Sequence, residues 1–349
     1  MKIDIKSMTL EEITKDFLSL GLKKYRAEQT FRWISSGAVS FSEMSDLPKD
    51  LRDFLDSRYK IPKSSIVKKE VSCDGTSKFA IMFEDGSVVE SVVMKYKFGN
   101  SICVSTQVGC RMRCKFCANS NLSFSRNLLP SEILSQIHVI SKSEDFAFSN
   151  ITLMGVGEPF DNYENVLKFI DIATSQKGMN IGSRRISVST CGLADKIKMF
   201  ADEKIGVTLS VSLHSVKDET RNDIMPINRA YNLEKLRGSC KYYNDKTNKR
   251  ISFEYIMLKN VNDSKEDAYL LAKFLKGLIF HVNLIPANNV GGKLVSPCLE
   301  KVHIFAKWLI DLGINVTVRR TLGSDISASC GQLRAKVVNR GKHESCIQN

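Results

Sequence analysis

No stretch of this 349-residue chain approaches the roughly 18 consecutive apolar residues that a membrane-spanning helix requires, so a helical membrane anchor is excluded. The N-terminus, MKIDIKSMTLEEITKDF, is punctuated by acidic residues and has no long apolar segment, which argues against a secretory signal and predicts a cytoplasmic protein. Low-complexity tracts and internal repeats are absent, so solenoids and compositionally biased linkers are excluded. Histidine is scarce, five in all, and no second C-x-x-C unit or paired histidine accompanies the one tight group of cysteines. A zinc knuckle, which needs such a second pair, is therefore disfavoured. Acidic residues are outnumbered: 51 Lys plus Arg against 38 Asp plus Glu leave a formal charge of +13. That balance favours a polyanionic partner such as nucleic acid. An apolar content of 43% is ordinary for a globular protein, and the length suffices for one large α/β domain with an appendage, or for two domains.

What is present is concentrated chemistry. Ten cysteines in a reducing compartment point to metal or redox work over structural disulfides. Cys110, Cys114 and Cys117 stand at C-x3-C-x2-C in GCRMRCKFCANS, a spacing that can hold three irons of a four-iron, four-sulfur cluster and leave the fourth open to a small chelating molecule. Phe116 is placed to shield such a cluster, and Arg111, Arg113 and Lys115 alternate with its cysteines. Cys330 is followed by Gly331, and Cys103 precedes Cys110 on an apolar strand; each is either a working thiol or a buried hydrophobe. Glu90, in SVVESVVM, is either a working carboxylate or an outward-facing strand residue. Cys73, Cys191, Cys240, Cys298 and Cys346 read as structural.

Helical periodicity marks residues 9–58, where Thr9 reads as an N-cap and Phe31 and Trp33 as packed anchors. Residues 62–98 change period and read as short strands about the Asp85-Gly86 turn. Beyond them ICVSTQVG, NITLMGVG, RRISVSTCG, GVTLSVSLHS, RISFEYIML and HVNLIPAN alternate with helical stretches near 131–142, 162–175, 193–203, 232–243 and 264–276. Six such units predict an α/β fold with a parallel sheet, open or curved into a partial barrel, which KVHIFAKWLIDLG and INVTVRR complete near residue 320. The expected division is a helical, RNA-contacting module over 1–60, accessory strands over 61–98, the core over 99–333 and a basic tail over 334–349.

In such barrels function gathers at the carboxyl ends of the strands. Gly157 and Glu158 follow the second core strand, Ser189 ends the third, Ser212, Leu213 and His214 end the fourth, and Asn288 ends the sixth. Together these groups suit a ribose and an amino acid, although singly each would serve equally as a turn residue or helix cap.

The motifs CVSTQVGCRMRCKFCA, MGVGEP, VSTCG, SLHS, MPIN, EYIML, VNDS, HVNLIPAN and TVRRTLGSDISASCGQLR occur in that order, after YRAEQTFRWI and DLPKDLR. Over nearly its whole length the chain resembles the RlmN/Cfr family of radical S-adenosylmethionine RNA methyltransferases. The resemblance implies a six-stranded (βα)6 partial TIM barrel, one 4Fe-4S cluster on Cys110, Cys114 and Cys117, and two S-adenosylmethionine molecules per turnover. Gly157, Glu158, Ser189, Ser212, Leu213, His214 and Asn288 match the family's cofactor-contacting positions. Cys330 matches the thiol that accepts a methyl group, from which a deoxyadenosyl radical then removes hydrogen so that the carbon attacks an adenine ring. Cys103 matches the thiol that resolves the resulting RNA crosslink through a disulfide with Cys330, and Glu90 matches the proton acceptor. The implied partners are 23S rRNA in its peptidyl-transferase region, tRNA, and an external electron donor such as flavodoxin or ferredoxin, with a monomer expected. VSTCG, HVNLIPAN and VTVRR look like the carbon-2 branch of the family. Carbon-8 methylation, the Cfr-like activity of ribosomal antibiotic resistance, and a non-catalytic iron–sulfur RNA-binding protein are the alternatives. Departures such as Val156 in MGVGEP and DISASC near the C-terminus bear on substrate and product, and leave the matched catalytic residues in place.

Overall fold

A computed structural model describes residues 2–97, 99–288 and 294–332; the expected basic tail lies outside the described residues. The chain opens with helices α1 (Leu10–Ser19), α2 (Lys24–Ser35) and α3 (Lys49–Arg58). Thr9 caps α1 in a reciprocal box: its hydroxyl accepts from the Glu12 N–H at 3.2 Å, and the Glu12 carboxylate accepts from the Thr9 N–H at 3.0 Å. Phe31 is buried and the Trp33 indole donates to Asp46 at 2.6 Å, as expected of packed anchors. The module is pinned to the later chain, for Lys6 donates to Ser135 Oγ at 2.7 Å and the Ser131 hydroxyl donates to Asp4 at 2.6 Å.

Ten strands follow in one sheet: β1 (Ser64–Val71), β2 (Ser77–Phe83), β3 (Val88–Tyr96), β4 (Gly99–Cys103), β5 (Asn150–Leu153), β6 (Ile186–Thr190), β7 (Thr208–Ser212), β8 (Ile251–Met257), β9 (Phe280–Pro286) and β10 (Val316–Val318). Spatial order repeats sequence order throughout. Strands β1 to β4 pair antiparallel, and β4 to β10 run parallel: the six expected core strands and then β10, the INVTVRR strand expected to complete them. β1 and β10 occupy opposite edges, which leaves the sheet an open, partial barrel. The accessory strands are continuous with the core, through Val92 paired with Cys103. Crossover helices α4 (Pro130–Glu144), α5 (Tyr163–Thr174), α6 (Ala194–Asp202), α7 (Asp218–Ile224), α8 (Leu233–Thr247), α9 (Lys265–Leu275) and α10 (Leu299–Asp311) intervene; the short α7 is the one that periodicity did not foreshadow.

Parallel strands covered on both faces normally read as continuous apolar runs. Here β6 to β9 alternate instead. Val188, Leu209, Val211, Phe253, Tyr255 and Leu284 are fully buried in the main core. Burying side chains of that size contributes roughly 1.5–3 kcal/mol each. The other face carries a polar row in register, Ser189 beside Ser210, Ser212 beside Glu254, and Glu254 beside Asn283, which in turn meets Thr317 of β10. Ser189, Ser212 and Glu254 of that polar face line the cavity described next.

Candidate active site

The loops after the parallel strands enclose a cavity of about 180 Å³. The cluster loop contributes Cys110, Cys114 and Cys117, and the loop after β5 contributes Gly157 and Glu158. Ser189, Ser212, His214 and Cys330 complete the part of its lining that the sequence foretold. Residues far apart in the chain thus converge where a barrel gathers its chemistry.

Burial governs the three thiols. It pushes Cys110 up to about 12, Cys114 well above the ordinary cysteine value, and raises Cys117 as well. Without a cation they stay protonated; iron would stabilise the thiolates instead. Among the described residues no three His, Cys, Asp or Glu side chains are grouped to hold a single metal ion. A cubane takes one thiolate at each of several separate irons, and three cysteines on one loop lining one cavity are donors of the kind it takes. Phe116 packs edge-on against His214, ring centroids 4.7 Å apart, and lines the same cavity.

Glu158 is buried, not the surface residue of a simple turn. Its carboxylate accepts from the N–H of Phe160 at 3.0 Å and of Cys191 at 2.7 Å, and burial raises its pKa against those bonds. Gly157 adopts φ +111°, and a Cβ there would lie 2.7 Å from the Gln107 side chain. The glycine is therefore demanded by the protein's own packing, while Gln107 accepts from the Glu158 N–H at 2.9 Å. His214 stands at φ +58°, and its Nδ1 accepts from the Ile256 N–H at 3.0 Å. Burial, with Arg221 adding to it, pulls the imidazole down to about 3, so it is neutral with its hydrogen on Nε2.

A second, smaller cavity adjoins the first. Cys103, Asn288 and Cys330 line it, as do Val92 and Met94, and Cys330 belongs to both cavities. Both thiols are free. Burial, with Cys330 adding to it, pushes Cys103 up to about 11. The Cys330 loop is held on two sides. The Ala118 N–H in the cluster loop donates to the Gly331 carbonyl at 2.6 Å, with Gly331 at φ +81°. On the other side, Asp74 accepts from the Gly323 N–H at 2.8 Å, the Ser72 hydroxyl donates to Asp325 at 2.6 Å, and Lys78 donates to the Ile326 carbonyl at 2.7 Å.

Besides Cys103, three expected positions stand elsewhere than in the first cavity. Leu213 is a core side chain, and its carbonyl accepts from Arg221 at 3.0 Å. Asn288 lines the second cavity, and its amide donates to the Cys330 carbonyl at 3.0 Å. Glu90 is buried within β3, not outward-facing, and strand alternation puts it on the face of Val92 and Met94.

Other residues had no part in the expected set. Arg319 lines both cavities and is held above its ordinary value chiefly by Cys330. Arg221 is fully buried and donates to the carbonyls of Cys191 at 2.7 Å and Ser212 at 3.1 Å, and to Asn228 at 2.8 Å. Glu254 stands in the wall of the first cavity. The signal for Glu254 was the alternation S-F-E-Y within the strand candidate RISFEYIML.

Residues 104–272 match the Radical SAM superfamily, and residues 3–61 match the Ribosomal RNA large subunit methyltransferase N-terminal domain. The chain is 49% identical over 338 residues to a probable dual-specificity RNA methyltransferase RlmN of Thermoanaerobacter sp., covering 95% of this chain and 98% of that one. A protein of the same description from Clostridium botulinum is 48% identical, over 96% of this chain and 97% of its own. The crystal structure of a radical SAM methyltransferase from Sphaerobacter thermophilus superposes with a TM-score of 0.90 at 39% identity, covering 95% of this chain and 99% of that one. With the cysteine loop, the barrel and the N-terminal module all matched, the chain belongs to the RlmN family of radical S-adenosylmethionine enzymes.

Proposed function

We propose that this protein methylates carbon-2 of adenosine in 23S rRNA and tRNA, with Cys330 as the carrier of the methyl group. The observation that carries the reading is the position of Cys330, shared between the cavity that holds the cluster cysteines and the one that holds Cys103. When bound, the cluster and S-adenosylmethionine supply the methyl group and the radical chemistry. Cys110, Cys114 and Cys117 would hold the cluster, and Gly157, Glu158, Ser189, Ser212 and His214 would surround the cofactor. Cys330 faces both the donor side and the resolving thiol, so one loop position serves methyl capture and release. Burial keeps Cys103 protonated and unreactive at neutral pH until a base withdraws its proton. Glu90, on the strand face shared with Val92 and Met94, is the carboxylate assigned to accept the proton of the adenine ring. Arg111 and Lys115 of the cluster loop, exposed although paired with Asp161 and Asp223, together with the net charge of +13 favour an RNA backbone. An external one-electron donor is required by this chemistry, and Asn288 acts by positioning the Cys330 loop.

The test is reconstituted protein with rRNA fragments and tRNA under reducing conditions, followed by mass spectrometry of the digested nucleosides. 2-Methyladenosine is the expected product. 8-Methyladenosine would move the protein to the other branch, and no methylated adenosine would sink the proposal. Cys330→Ala should retain iron and abolish methyl transfer.

A further inference from the structure

The cavity wall contains one carboxylate to which neither the motifs nor the relatives give a role. Glu254 of β8 is 4% exposed. Its Oε1 accepts from the Ser252 hydroxyl and the Asn283 amide, both at 3.0 Å. Its Oε2 is buried and has no hydrogen-bond partner among the described residues. Leaving a buried acceptor unpaired costs about 1–3 kcal/mol, and more when the group is charged. Such a group in a cavity wall is explained by a donor that arrives with the ligand.

The surroundings fix where that oxygen sits. Thr317 donates to Asn283 Oδ1 at 2.6 Å, and His281 contacts Thr317 Oγ1 at 2.9 Å, so a chain of side chains across β8, β9 and β10 locks the clamp on Oε1. On the other flank Glu254 lies in register with Ser212, and its carbonyl accepts from the Leu213 N–H at 3.0 Å. The other acidic residue in the wall, Glu158, already accepts from two main-chain N–H groups. Neutral His214, with Nδ1 occupied, has only a donor left to offer. Arg319 in the same wall offsets the charge of Glu254 but makes no hydrogen bond to Oε2, so Glu254 is the acceptor left over for hydroxyl groups.

We propose that Glu254 Oε2 accepts hydrogen bonds from the ribose hydroxyls of S-adenosylmethionine, with Ser252 and Asn283 as its positioning residues. This rests on reading the first cavity as the cofactor site. The sulfonium carries charge but no hydrogen to donate, so it does not meet the need of an unpaired acceptor. The adenine edge sets each donor beside a ring nitrogen lone pair that would repel a carboxylate. A vicinal diol offers two donors and no such conflict, and a carboxylate is the group that dinucleotide-binding folds use for it.

The test is calorimetric binding of S-adenosylhomocysteine and of its 2′-deoxy analogue to the cluster-loaded holoprotein, wild type and Glu254→Gln, with iron content checked in each. Wild type should bind the deoxy analogue about tenfold more weakly, and the variant should lose about tenfold for S-adenosylhomocysteine while no longer distinguishing the two compounds. Glu254→Asp, which keeps the charge but withdraws the oxygen, should show the same loss of discrimination and serves if the Gln variant fails to load its cluster. Unchanged affinity, or equal weakening of both compounds, would overturn the assignment alone. If wild type binds neither compound, the reading of the cavity fails, and this assignment with it.

Discussion

Gly157 shows how narrowly single positions are specified. A side chain at φ +111° is strained, and its Cβ would displace Gln107, which holds the Glu158 backbone. Gly157→Ala should therefore cost about 1–3 kcal/mol, read as a fall in the thermal midpoint, together with weaker S-adenosylmethionine binding. His138 on α4 makes a different prediction. Burial, with the Lys6 cation adding to it, pulls its imidazole down to about 3 from the usual 6.5, and its Nε2 meets the Ser35 carbonyl at 3.0 Å. A lowered histidine favours the unfolded chain, which takes up the proton first. Stability should be full above pH 6.5 and fall as the pH drops through 6.5 toward about 3. His138→Gln should remove that part of the acid limb, so the two denaturation curves should diverge only below pH 6.5. At this scale the sequence was most legible where chemistry is written in spacing: Cys110, Cys114 and Cys117 line one cavity, and Cys330, singled out through the family resemblance, lines it with them. It was least legible where the partner is a backbone group. Nothing in SLHS says that the Leu213 side chain belongs to the core, and nothing in HVNLIPAN says that Asn288 reaches the Cys330 carbonyl.

Among the elements, strands and helices were foreseeable from periodicity, and the three N-terminal helices and the core strands stand where it put them. The short α7 escaped because seven residues give a helical repeat too little room. The polar face of β6 to β10 was also present in the text, as I-S-V-S-T, L-S-V-S and F-H-V-N, yet its meaning depends on curvature, because only in a curled sheet does one face enclose a cavity. The Cys330 loop is the element whose placement most directly serves function. Asp325 accepts from the Ser72 hydroxyl and from the Cys73 N–H, binding the loop to the β1–β2 turn. Asp325→Ala should leave the thermal midpoint within a few degrees, since the contact is partly exposed. It should also lower the fraction of Cys330 found S-methylated after one turnover, as measured by peptide mass spectrometry. An unchanged fraction would show that the anchor is dispensable.

For the molecule as a whole, charge sets the encounter with substrate. With a net +13, RNA affinity should fall steeply between low and physiological salt, in proportion to the phosphates contacted, as followed by fluorescence anisotropy with a labelled tRNA. Affinity that hardly changed would mean that base stacking, not the backbone, dominates. No helix among the described residues is long and apolar enough to cross a membrane.

The continuity of the sheet has a practical consequence for transplanting parts between relatives. The N-terminal family match ends at residue 61, which invites treating everything before the parallel strands as a removable adaptor. The β1–β2 turn and Lys78 of β2, however, grip the Cys330 loop at Gly323, Asp325 and Ile326. A chimera joined near residue 61 would exchange the helical module and keep Cys330 on its own mooring. One joined at residue 98 would give the recipient a foreign hairpin and leave the Cys330 loop held only by Ala118 and Asn288.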